Sequence, residues 1–588
     1  MTRSGVVRIG NCSGFYGDRL SAMRDQLEGG DLDFLTGDYL AELTMLILGR
    51  DQMKDASLGY AKTFVRQAED CLGLALEKGV RIVSNAGGLN PAGLAGRLRS
   101  IAPEARIAYV EGDRVDVPGA LTANAYLGGF GIARALAAGA DIVVTGRVTD
   151  ASLVVGPAVA HHGWAADDWD RLAGAVVAGH VLECGTQATG GNFSGFTSLP
   201  GLETVAGATS STGDSLVEEE HRARPETSRP RPLGFPIAEL AEDGSCVITK
   251  HDGTGGAVTV DTVTAQLMYE IQGPRYLGPD VTTDLTSIRL SQEGRDRVAI
   301  SGVRGTPPPQ RLKVAVTELG GFRNSCEFVL TGLDIDEKAA WIKAQVSLEG
   351  VEHVWSAYRV PEPDSPTEEG AACLLRLTAW APTPDPLGKP FTEPLIGLAL
   401  ASYPGFHVTA PPTSPAPYGV YRADHVDRSA VAHTVVMDDG TREQVADPPA
   451  YAAPEEPAAE RPSADAAVAD SLNRRLPLGT FVHARSGDKG GDANLGLWVS
   501  HDADPALQGA RVAWLTRLIT PAKVRELVPE SADLEIEVHP LPNLGGVNVL
   551  IRGLLGAGVA EGRRFDPQAK ALGEWVRSRT VHIDQELL

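Results

Sequence analysis

The sequence predicts an α/β protein whose N-terminal part contains a doubly wound, mostly parallel β-sheet. Short apolar runs alternate with longer amphipathic stretches from residue 6 onwards, and several of the runs end in glycine-rich loops. Buried strands separated by helices are typical of a parallel sheet that is covered on both faces. We expect a mixed α/β continuation after this sheet and a small α+β two-layer domain at the C-terminal end.

Five apolar runs are predicted as the strands of the N-terminal sheet. They are residues 6–10, 32–35, 80–84, 106–110 and 141–145. Ligands of such sheets bind beyond the carboxyl ends of the strands, where the strand order reverses. The loops that follow these strands are therefore the first candidates for a binding site.

Four of the strand ends carry loops that combine glycine with hydroxyl, amide or acid side chains. These loops are residues 10–19, 36–42, 85–91 and 145–152. A predicted helix follows each loop, so free N–H groups at the helix N-termini could hold an oxyanion or a phosphate. Helix capping is the alternative interpretation of Asp38, Asn90 and Asp150 when each is taken singly. Their joint position at one edge of the sheet favours a binding site.

Residues 180–196 contain a thiol, a carboxylate, two carboxamides and four glycines. Such a density of glycine suits a backbone that turns sharply or approaches a ligand closely. A glycine-rich connection between packed elements is the alternative. We interpret the stretch as one wall of the site, because the four loops before it carry the same kind of chemistry.

Composition divides the chain into domains. Residues 1–446 are predicted to form the α/β domain, with a charged and proline-rich surface excursion at 197–232. Residues 447–477 are rich in proline, alanine and acid, which is typical of an extended linker. Residues 478–588 hold several predicted strands and two helices, which suffice for a two-layer α+β sandwich.

The first turn of the small domain is the second chemically dense loop. Residues 485–494 include Arg485, Lys489, Asp488, Asp492 and three glycines. The two basic side chains could clamp a phosphate or a carboxylate, with the amides of the turn as further donors. In the alternative interpretation the two aspartates pair with these bases and satisfy the turn internally.

Composition and motifs exclude several classes of function. A formal charge of −23 disfavours binding to a nucleic-acid backbone, and no apolar run approaches the roughly 20 residues of a membrane helix. Six cysteines without a CxxC pair argue against a disulfide framework and a zinc site, and no metal ligands are predicted. The sequence contains no Walker, GxGxxG, GxSxG or HExxH motif. We expect a cytoplasmic protein, because the chain begins without a secretory signal, and we expect a homo-oligomer.

Six motifs in this order resemble those of the acyclic terpene utilisation family AtuA. They are residues 13–18, 36–42, 85–91, 145–150, 183–191 and 486–490. The resemblance covers nearly the whole chain and implies a large N-terminal domain followed by a small domain of ferredoxin-like fold. It also implies a role in the breakdown of citronellol and geraniol through acyl-CoA thioesters. A branched acyl-CoA or its acid is thus the implied substrate class, and no cofactor beyond that thioester is expected.

Chemistry beside a thioester carbonyl needs hydrogen-bond donors for the developing enolate oxygen and a carboxylate or similar base. Backbone amides of the 85–91 and 185–191 loops are candidate donors. The predicted catalytic residues are Asp18, Asp38, Asp150, Glu183 and Cys184. The predicted substrate-binding residues are Ser13, Gly14, Asn85, Gly87, Gly88, Thr145, Gly146, Arg147, Gly190, Gly191, Lys250, Arg485 and Lys489.

Three functional hypotheses follow. The first is a hydratase or other lyase that acts on an acyl-CoA. The second is a thioester or amide hydrolase with Cys184 or Cys12 as nucleophile and His180, four residues from Cys184, as base. The third is a non-catalytic acyl-CoA-binding or assembly subunit of a carboxylase system, which would not itself carry biotin because no Met-Lys-Met attachment site is present.

Overall fold

The computed structural model describes residues 5–200, 231–453, 473–501 and 503–588. Most of the predicted excursion at 197–232 and of the predicted linker at 447–477 lies outside these residues. Within residues 5–200, strands and helices alternate. The elements are β1 (Val6–Asn11), α1 (Ala22–Gly29), β2 (Phe34–Gly37), α2 (Glu42–Lys54), α3 (Lys62–Lys78), β3 (Arg81–Ser84), α4 (Pro91–Ile101), β4 (Ile107–Glu111), β5 (Ala120–Ala125), α5 (Phe130–Ala137), β6 (Ile142–Thr145), α6 (Ser152–His162) and α7 (Trp169–Leu182).

The five predicted strands are present and parallel, and they lie side by side in the order β1-β2-β3-β6-β4. Successive side chains point to opposite faces, so Ile82 packs in one apolar cluster and Val83 in the other. Helices α1, α3 and α4 cover the first face, and α5, α6 and α7 cover the second. The doubly wound sheet is therefore confirmed. The strand order reverses between β3 and β6, which are neighbours.

Residues 231–453 extend this sheet and build two others. Their elements are β7 (Pro236–Ala241), β8 (Cys246–Lys250), α8 (Val260–Leu267), β9 (Arg275–Leu277), β10 (Thr282–Asp284), β11 (Arg289–Gly294), β12 (Arg297–Ser301), β13 (Arg304–Thr306), β14 (Arg311–Thr331), α9 (Ile335–Gln345), β15 (Glu352–Tyr358), β16 (Ala372–Ala381), α10 (Lys389–Gly397), β17 (His407–Val408), β18 (Ala416–Asp427), β19 (Thr434–Val436) and β20 (Arg442–Gln444). Strands β11, β12, β8 and β7 join the sheet beside β1, and β19 and β20 join it beside β4, all antiparallel to their neighbours. The whole sheet is therefore mixed, with the parallel strands at its centre.

The second sheet is built around β14, a strand of 21 residues that pairs with β5, β16, β17 and β18. Strand β5 belongs in sequence to the parallel domain, so its pairing with β14 ties the two parts together. The pairing places the Lys313 Nζ 5.1 Å from the ring centre of Tyr126 and 6.0 Å from that of Tyr421. The third sheet is small, with the order β13-β10-β9.

Residues 473–588 form the predicted small α+β domain. Its elements are β21 (Asn473–Pro477), β22 (Val482–Lys489), β23 (Asp492–Val499), α11 (Pro505–Leu518), α12 (Pro521–Leu527), β24 (Ile536–Leu541), β25 (Gly546–Ile551), α13 (Leu572–Ser578) and β26 (Thr580–Asp584). Four of the strands make an antiparallel sheet in the order β22-β23-β25-β24. Leu515 and Val576 on the helices pack with Leu497 and Val549 on the strands, which confirms the two-layer prediction.

The β22–β23 hairpin of the small domain packs directly against the large domain. The Asn494 Oδ1 accepts a hydrogen bond of 2.7 Å from the Glu270 amide, and Asp261 on α8 accepts one of 3.0 Å from the indole of Trp498. Gly487 in β22 faces the ring of Tyr269 so closely that a Cβ there would overlap it. These contacts carry the hairpin turn to the carboxyl edge of the parallel sheet. In the part of the chain that the structure describes, no helix has the length and apolar character needed to cross a membrane.

Gly14 provides a direct test of how the loop after β1 meets the 183–191 stretch. A Cβ at Gly14 would lie 2.7 Å from the carbonyl carbon of Cys184, a backbone atom that cannot rotate away. We expect Gly14→Ala to lower the free energy of unfolding by about 1–3 kcal/mol. Gly73→Ala is the matched control, because Gly73 lies inside α3 with open space around its Cβ position, and it should raise stability by up to about 1 kcal/mol. Urea unfolding measures both, and equal stabilities would contradict the contact.

Candidate active site

The loops predicted to share one edge of the sheet do converge there. Together with the 183–191 stretch, the loops 10–19, 36–42, 85–91 and 145–152 are called the rim below. The Asp38 amide donates to the Ser13 carbonyl at 2.9 Å, and the Tyr39 amide donates to the Asn85 Oδ1 at 2.8 Å. The Asn11 side chain donates to the Leu182 carbonyl at 2.6 Å, just before Glu183. Hydrogen bonds thus connect the rim loops to one another.

A buried group of polar side chains lies at the centre of the rim. The Asn85 Nδ2 donates to the Asp38 Oδ1 at 2.6 Å, and the Arg147 Nη2 forms an ion pair of 2.9 Å with the Asp150 Oδ1. Burial and the nearby Asp150 raise the pKa of Asp38 well above its usual value, although Arg147 and Asn85 act in the opposite direction. Burial likewise raises the pKa of Asp150. Both carboxyl groups therefore hold a proton to higher pH than free aspartate does.

Glu183 and His180 form a second buried pair beside this group. The His180 Nδ1 lies 3.0 Å from the Glu183 Oε1, and the imidazole lies against the ring of Tyr276 at 5.0 Å between centres. Burial raises the pKa of Glu183 despite the neighbouring imidazole. The two imidazole nitrogens and the Glu183 Oε2 make no well-directed hydrogen bond to any residue described. Buried polar atoms without a partner are rare in native proteins and are typical of functional sites.

The dense turn of the small domain does not satisfy itself. Asp488 lies 3.4 Å from the Lys570 Nζ, and Asp492 forms an ion pair of 2.7 Å with Arg552. Arg485 donates to the Gln187 side chain of the rim and stacks its guanidinium 4.1 Å from the ring centre of Tyr269. The alternative in which these aspartates pair with Arg485 and Lys489 is therefore wrong, because other basic residues of the small domain take both carboxylates.

Lys489, at the tip of the hairpin, reaches into the rim. Burial lowers the pKa of its ammonium, but Glu270, Glu183 and Asp150 raise the pKa more, so the net shift is upwards. Burial raises the pKa of Glu270, but Lys489 and Lys570 lower it more, so the net shift is downwards. Among residues 5–200, 231–453, 473–501 and 503–588, Lys489 forms no ion pair with a carboxylate oxygen within 4 Å of its Nζ. The ammonium is thus attracted by several carboxylates without being bound closely by one.

Several members of the site were not predicted from the sequence. Glu42 begins α2, and its buried Oε2 lacks a hydrogen-bond partner among the residues described. Burial and Asp488 raise the pKa of Glu42 to about 7, against the opposite effect of Lys313 and Lys489. Glu270 and Tyr276 follow α8, far from any rim loop in sequence. The six carboxyl groups of this site are called the carboxylate cluster below. They are Asp38, Glu42, Asp150, Glu183, Glu270 and Asp488.

Several predicted residues serve the architecture of the rim. Asp18 accepts hydrogen bonds from the amides of Gly14 and Arg19, at 2.8 and 2.7 Å, so it closes its own loop. The Ser13 hydroxyl donates to the Phe15 carbonyl and the Thr145 hydroxyl to the Gly146 carbonyl. These groups position the site, and any direct part in binding stays a prediction.

The glycine-rich loops use their own amides. The Gly88 amide donates to the Asn85 carbonyl, the Gly190 amide to that of Gln187 and the Gly191 amide to that of Thr186. Gly87 has no room for a side chain because the Thr145 carbonyl lies against it. Gly146 has none because the Asp113 side chain lies against it. The amides of Gly88, Gly190 and Gly191 are therefore occupied and do not form the expected oxyanion site.

Two further predicted residues have surroundings that bear on their roles. The Lys250 Nζ lies 3.5 Å from Asp296 and 3.3 Å from the Thr254 carbonyl, and neither of these residues belongs to the carboxylate cluster. Burial, Glu183 and Glu270 raise the pKa of the Cys184 thiol well above its usual value. The thiolate that a cysteine nucleophile requires is thus disfavoured. Within the described ranges, no three His, Cys, Asp or Glu side chains are placed to hold a metal ion.

Glu42 makes the stability of the protein depend on pH. Its pKa in the folded state, about 7, lies above the ordinary value of 4.5, so its contribution to stability is present below about pH 4.5 and is lost as the pH rises through 7. Glutamine stays neutral throughout. The free energy of unfolding of Glu42→Gln, relative to that of the wild type, should rise by about 1–3 kcal/mol as the pH goes from 5 to 8. Urea unfolding at each pH measures it. The exposed Glu104→Gln is the control, and a pH-independent difference for Glu42→Gln would contradict the buried position.

Comparison with known families agrees with this architecture. A family model described as acyclic terpene utilisation family protein AtuA matches residues 7–224 and 212–437, and one described as the AtuA ferredoxin-like domain matches residues 476–582. Searches of curated proteins and of solved structures found no match. The matched ranges include the rim and the turn that carries Lys489, and they identify the small domain as ferredoxin-like. The chain therefore belongs to the acyclic terpene utilisation family AtuA.

Proposed function

We propose that this acyclic terpene utilisation-type protein is an acid–base enzyme of the hydratase or lyase type, acting on a branched or terpenoid acyl-CoA. The observation that carries the proposal is the position of the Lys489 ammonium, which lies among carboxyl groups of raised pKa without a close ion pair among the described residues. Structural ion pairs normally satisfy such a charge. A cation held in this way is suited to an anionic group that forms during a reaction.

Carboxyl groups of raised pKa supply the proton transfers that the reaction needs. Asp150 is the more accessible candidate, since its side chain is 27% exposed while that of Glu183 is 6% exposed. Hydration of a double bond beside a thioester requires a base for the attacking water and an acid for the neighbouring carbon. We assign these two roles to Asp150 and Glu183, with Asp38 as a neighbouring buried carboxyl group that is hydrogen-bonded to Asn85.

Side chains, rather than backbone amides, stabilise the carbonyl oxygen in this proposal. Tyr276 is half-buried against His180, and its hydroxyl makes no hydrogen bond to any residue that the structure describes. Burial, Glu183 and Asp150 raise the pKa of Tyr276, so the phenol keeps its proton and remains a donor at neutral pH. The Lys489 ammonium is the second donor. A donor pair of this kind would stabilise the negative charge of an enolate oxygen.

The two other hypotheses have less support from the described contacts. A cysteine hydrolase needs an imidazole next to the thiol, whereas the His180 imidazole contacts Glu183 and the pKa of Cys184 is raised. A non-catalytic binding subunit would have no need of buried carboxyl groups of raised pKa at its site. Turnover distinguishes all three hypotheses.

Tyr276→Phe and Lys489→Ala test the proposed donors. We expect the wild type to convert geranyl-CoA or a short branched acyl-CoA into a product of altered mass, and each variant to reduce kcat by about a hundredfold, because one donor to the developing charge is lost. Tyr451→Phe is the matched control, since it removes the hydroxyl of a tyrosine that is 40% exposed and outside the carboxylate cluster. Mass spectrometry and steady-state kinetics provide the readout.

Other outcomes of this assay would point to the other hypotheses. Tight binding of an acyl-CoA without any change in its mass would favour the binding role over the enzyme. Hydrolysis to free CoA that disappears in Cys184→Ser would favour the thiol nucleophile. Full turnover by Tyr276→Phe would remove that residue from the mechanism.

A further inference from the structure

A cleft of about 880 Å³ lies at the boundary between the two domains, outside the carboxylate cluster. Helix α11 and the residues around Gly545 form its small-domain side, and Val260 and Leu290 form its large-domain side. The volume falls within the range of about 300–1,000 Å³ that is typical of small-molecule sites, and domain boundaries are a common place for them. None of the residues of the carboxylate cluster lines this cleft.

The charge of the cleft differs from that of the chain as a whole. The sequence carries a formal charge of −23, yet the described residues that line the cleft include Arg517 and no aspartate or glutamate. Arg517 is exposed at the end of α11, where its guanidinium is free to reach a ligand. The exposed guanidinium of Arg517 is therefore a candidate partner for the anionic end of a ligand.

A hydrogen-bonded aspartate fixes the orientation of His501. The Asp261 carboxylate accepts hydrogen bonds from the His501 Nδ1 at 2.7 Å, from the Trp498 Nε1 at 3.0 Å and from the His501 amide at 3.2 Å. The opposite ring nitrogen, Nε2, lies 3.3 Å from the Cβ position that a side chain at Gly545 would occupy. Because Gly545 lines the cleft, the glycine leaves Nε2 open towards it, and the imidazole is held in place before any ligand arrives.

The remaining walls combine apolar side chains with the polar side chains of Gln508, Thr516 and Asn543. Val260, Leu290 and Val512 line the cleft together with two prolines. Apolar surface of this kind favours a ligand with a hydrocarbon body, and Arg517 favours an anionic end. We propose that the cleft is a second binding site, separate from the proposed active site, for a small organic carboxylate with an apolar body.

Gly509 allows the cleft to be filled without disturbing the fold. It lines the cleft on α11, is exposed and has open space around its Cβ position, and a glycine inside a helix is unfavourable in any case. Gly509→Trp should therefore fold normally and block the site. Arg517→Ala removes the cation, and the exposed Arg474→Ala in β21 is its matched control.

Titration calorimetry of the full chain with octanoate tests the proposal, with octanol and octylamine as the uncharged and cationic matches. We expect octanoate to bind at the cleft with one-to-one stoichiometry, and octanol and octylamine to bind at least tenfold more weakly. Arg517→Ala should weaken the binding of octanoate about tenfold, and Gly509→Trp should abolish it. Arg474→Ala should behave as the wild type does.

The experiment also separates this site from the proposed active site. Octanoate should still bind at the cleft of Lys489→Ala, whether or not the wild type turns over an acyl-CoA. Absence of octanoate binding to the wild type, equal binding of octanol, or unchanged octanoate binding by Gly509→Trp would each overturn the proposal.

Discussion

The buried charge at the rim, where the β22–β23 hairpin of the small domain meets the large domain, is the constraint on which the rest of the structure depends. Six carboxyl groups face one another there, and charges of the same sign in a poorly solvated site cannot all be present at once. The protein responds in two ways. Asp38, Asp150 and Glu183 take raised pKa values, and cations are brought in from distant parts of the chain. Lys489 is the cation that comes from the small domain.

The hairpin that carries Lys489 fits because its backbone can approach the large domain closely. Gly487 lies against the ring of Tyr269, and Gly490 has a φ of +68° and lies against the ring of Tyr421. A side chain at either glycine would push the turn away from the rim, and at Gly490 the backbone conformation itself also favours glycine. The small domain is therefore a component of the site as well as a packing partner.

The sequence predicted the elements whose signals are local. The five parallel strands, the convergence of the rim loops and the two-layer small domain were all predictable, because strand patterning, glycine-rich strand ends and the topology of parallel sheets suffice for them. Asp38, Asp150 and Glu183 lie in those loops, and Lys489 lies in the dense turn of the small domain, so the sequence singled out their positions; their roles stay predictions. Glu42 also lies in a predicted loop, at the start of a helix. A carboxylate at the end of that loop was the sequence feature that could have indicated its place in the site.

The rest of the site depends on pairings between distant segments. Tyr126, Lys313 and Tyr421 meet because β5 pairs with β14 and β14 with β18, and no local pattern specifies those partners. The sequence also could not show that the loop amides donate hydrogen bonds within their own turns. A glycine-rich loop with internal hydrogen bonds has the same composition as one that binds a ligand. The partners of Asp488 and Asp492 come from later in the chain, at Lys570 and Arg552.

A double-mutant cycle between Glu270 and Lys489 tests most directly whether the small domain supplies a charge to the site. Glu270 is the largest influence that raises the pKa of Lys489, and the two residues come from different domains. Unfolding free energies of Glu270→Gln, Lys489→Met and the double variant, measured in urea at neutral pH, give the coupling between them. We expect a favourable coupling of about 1 kcal/mol or more, because each single change leaves the other charge without its neighbour. Additive effects, equal within about 0.5 kcal/mol, would show that the two charges do not face each other.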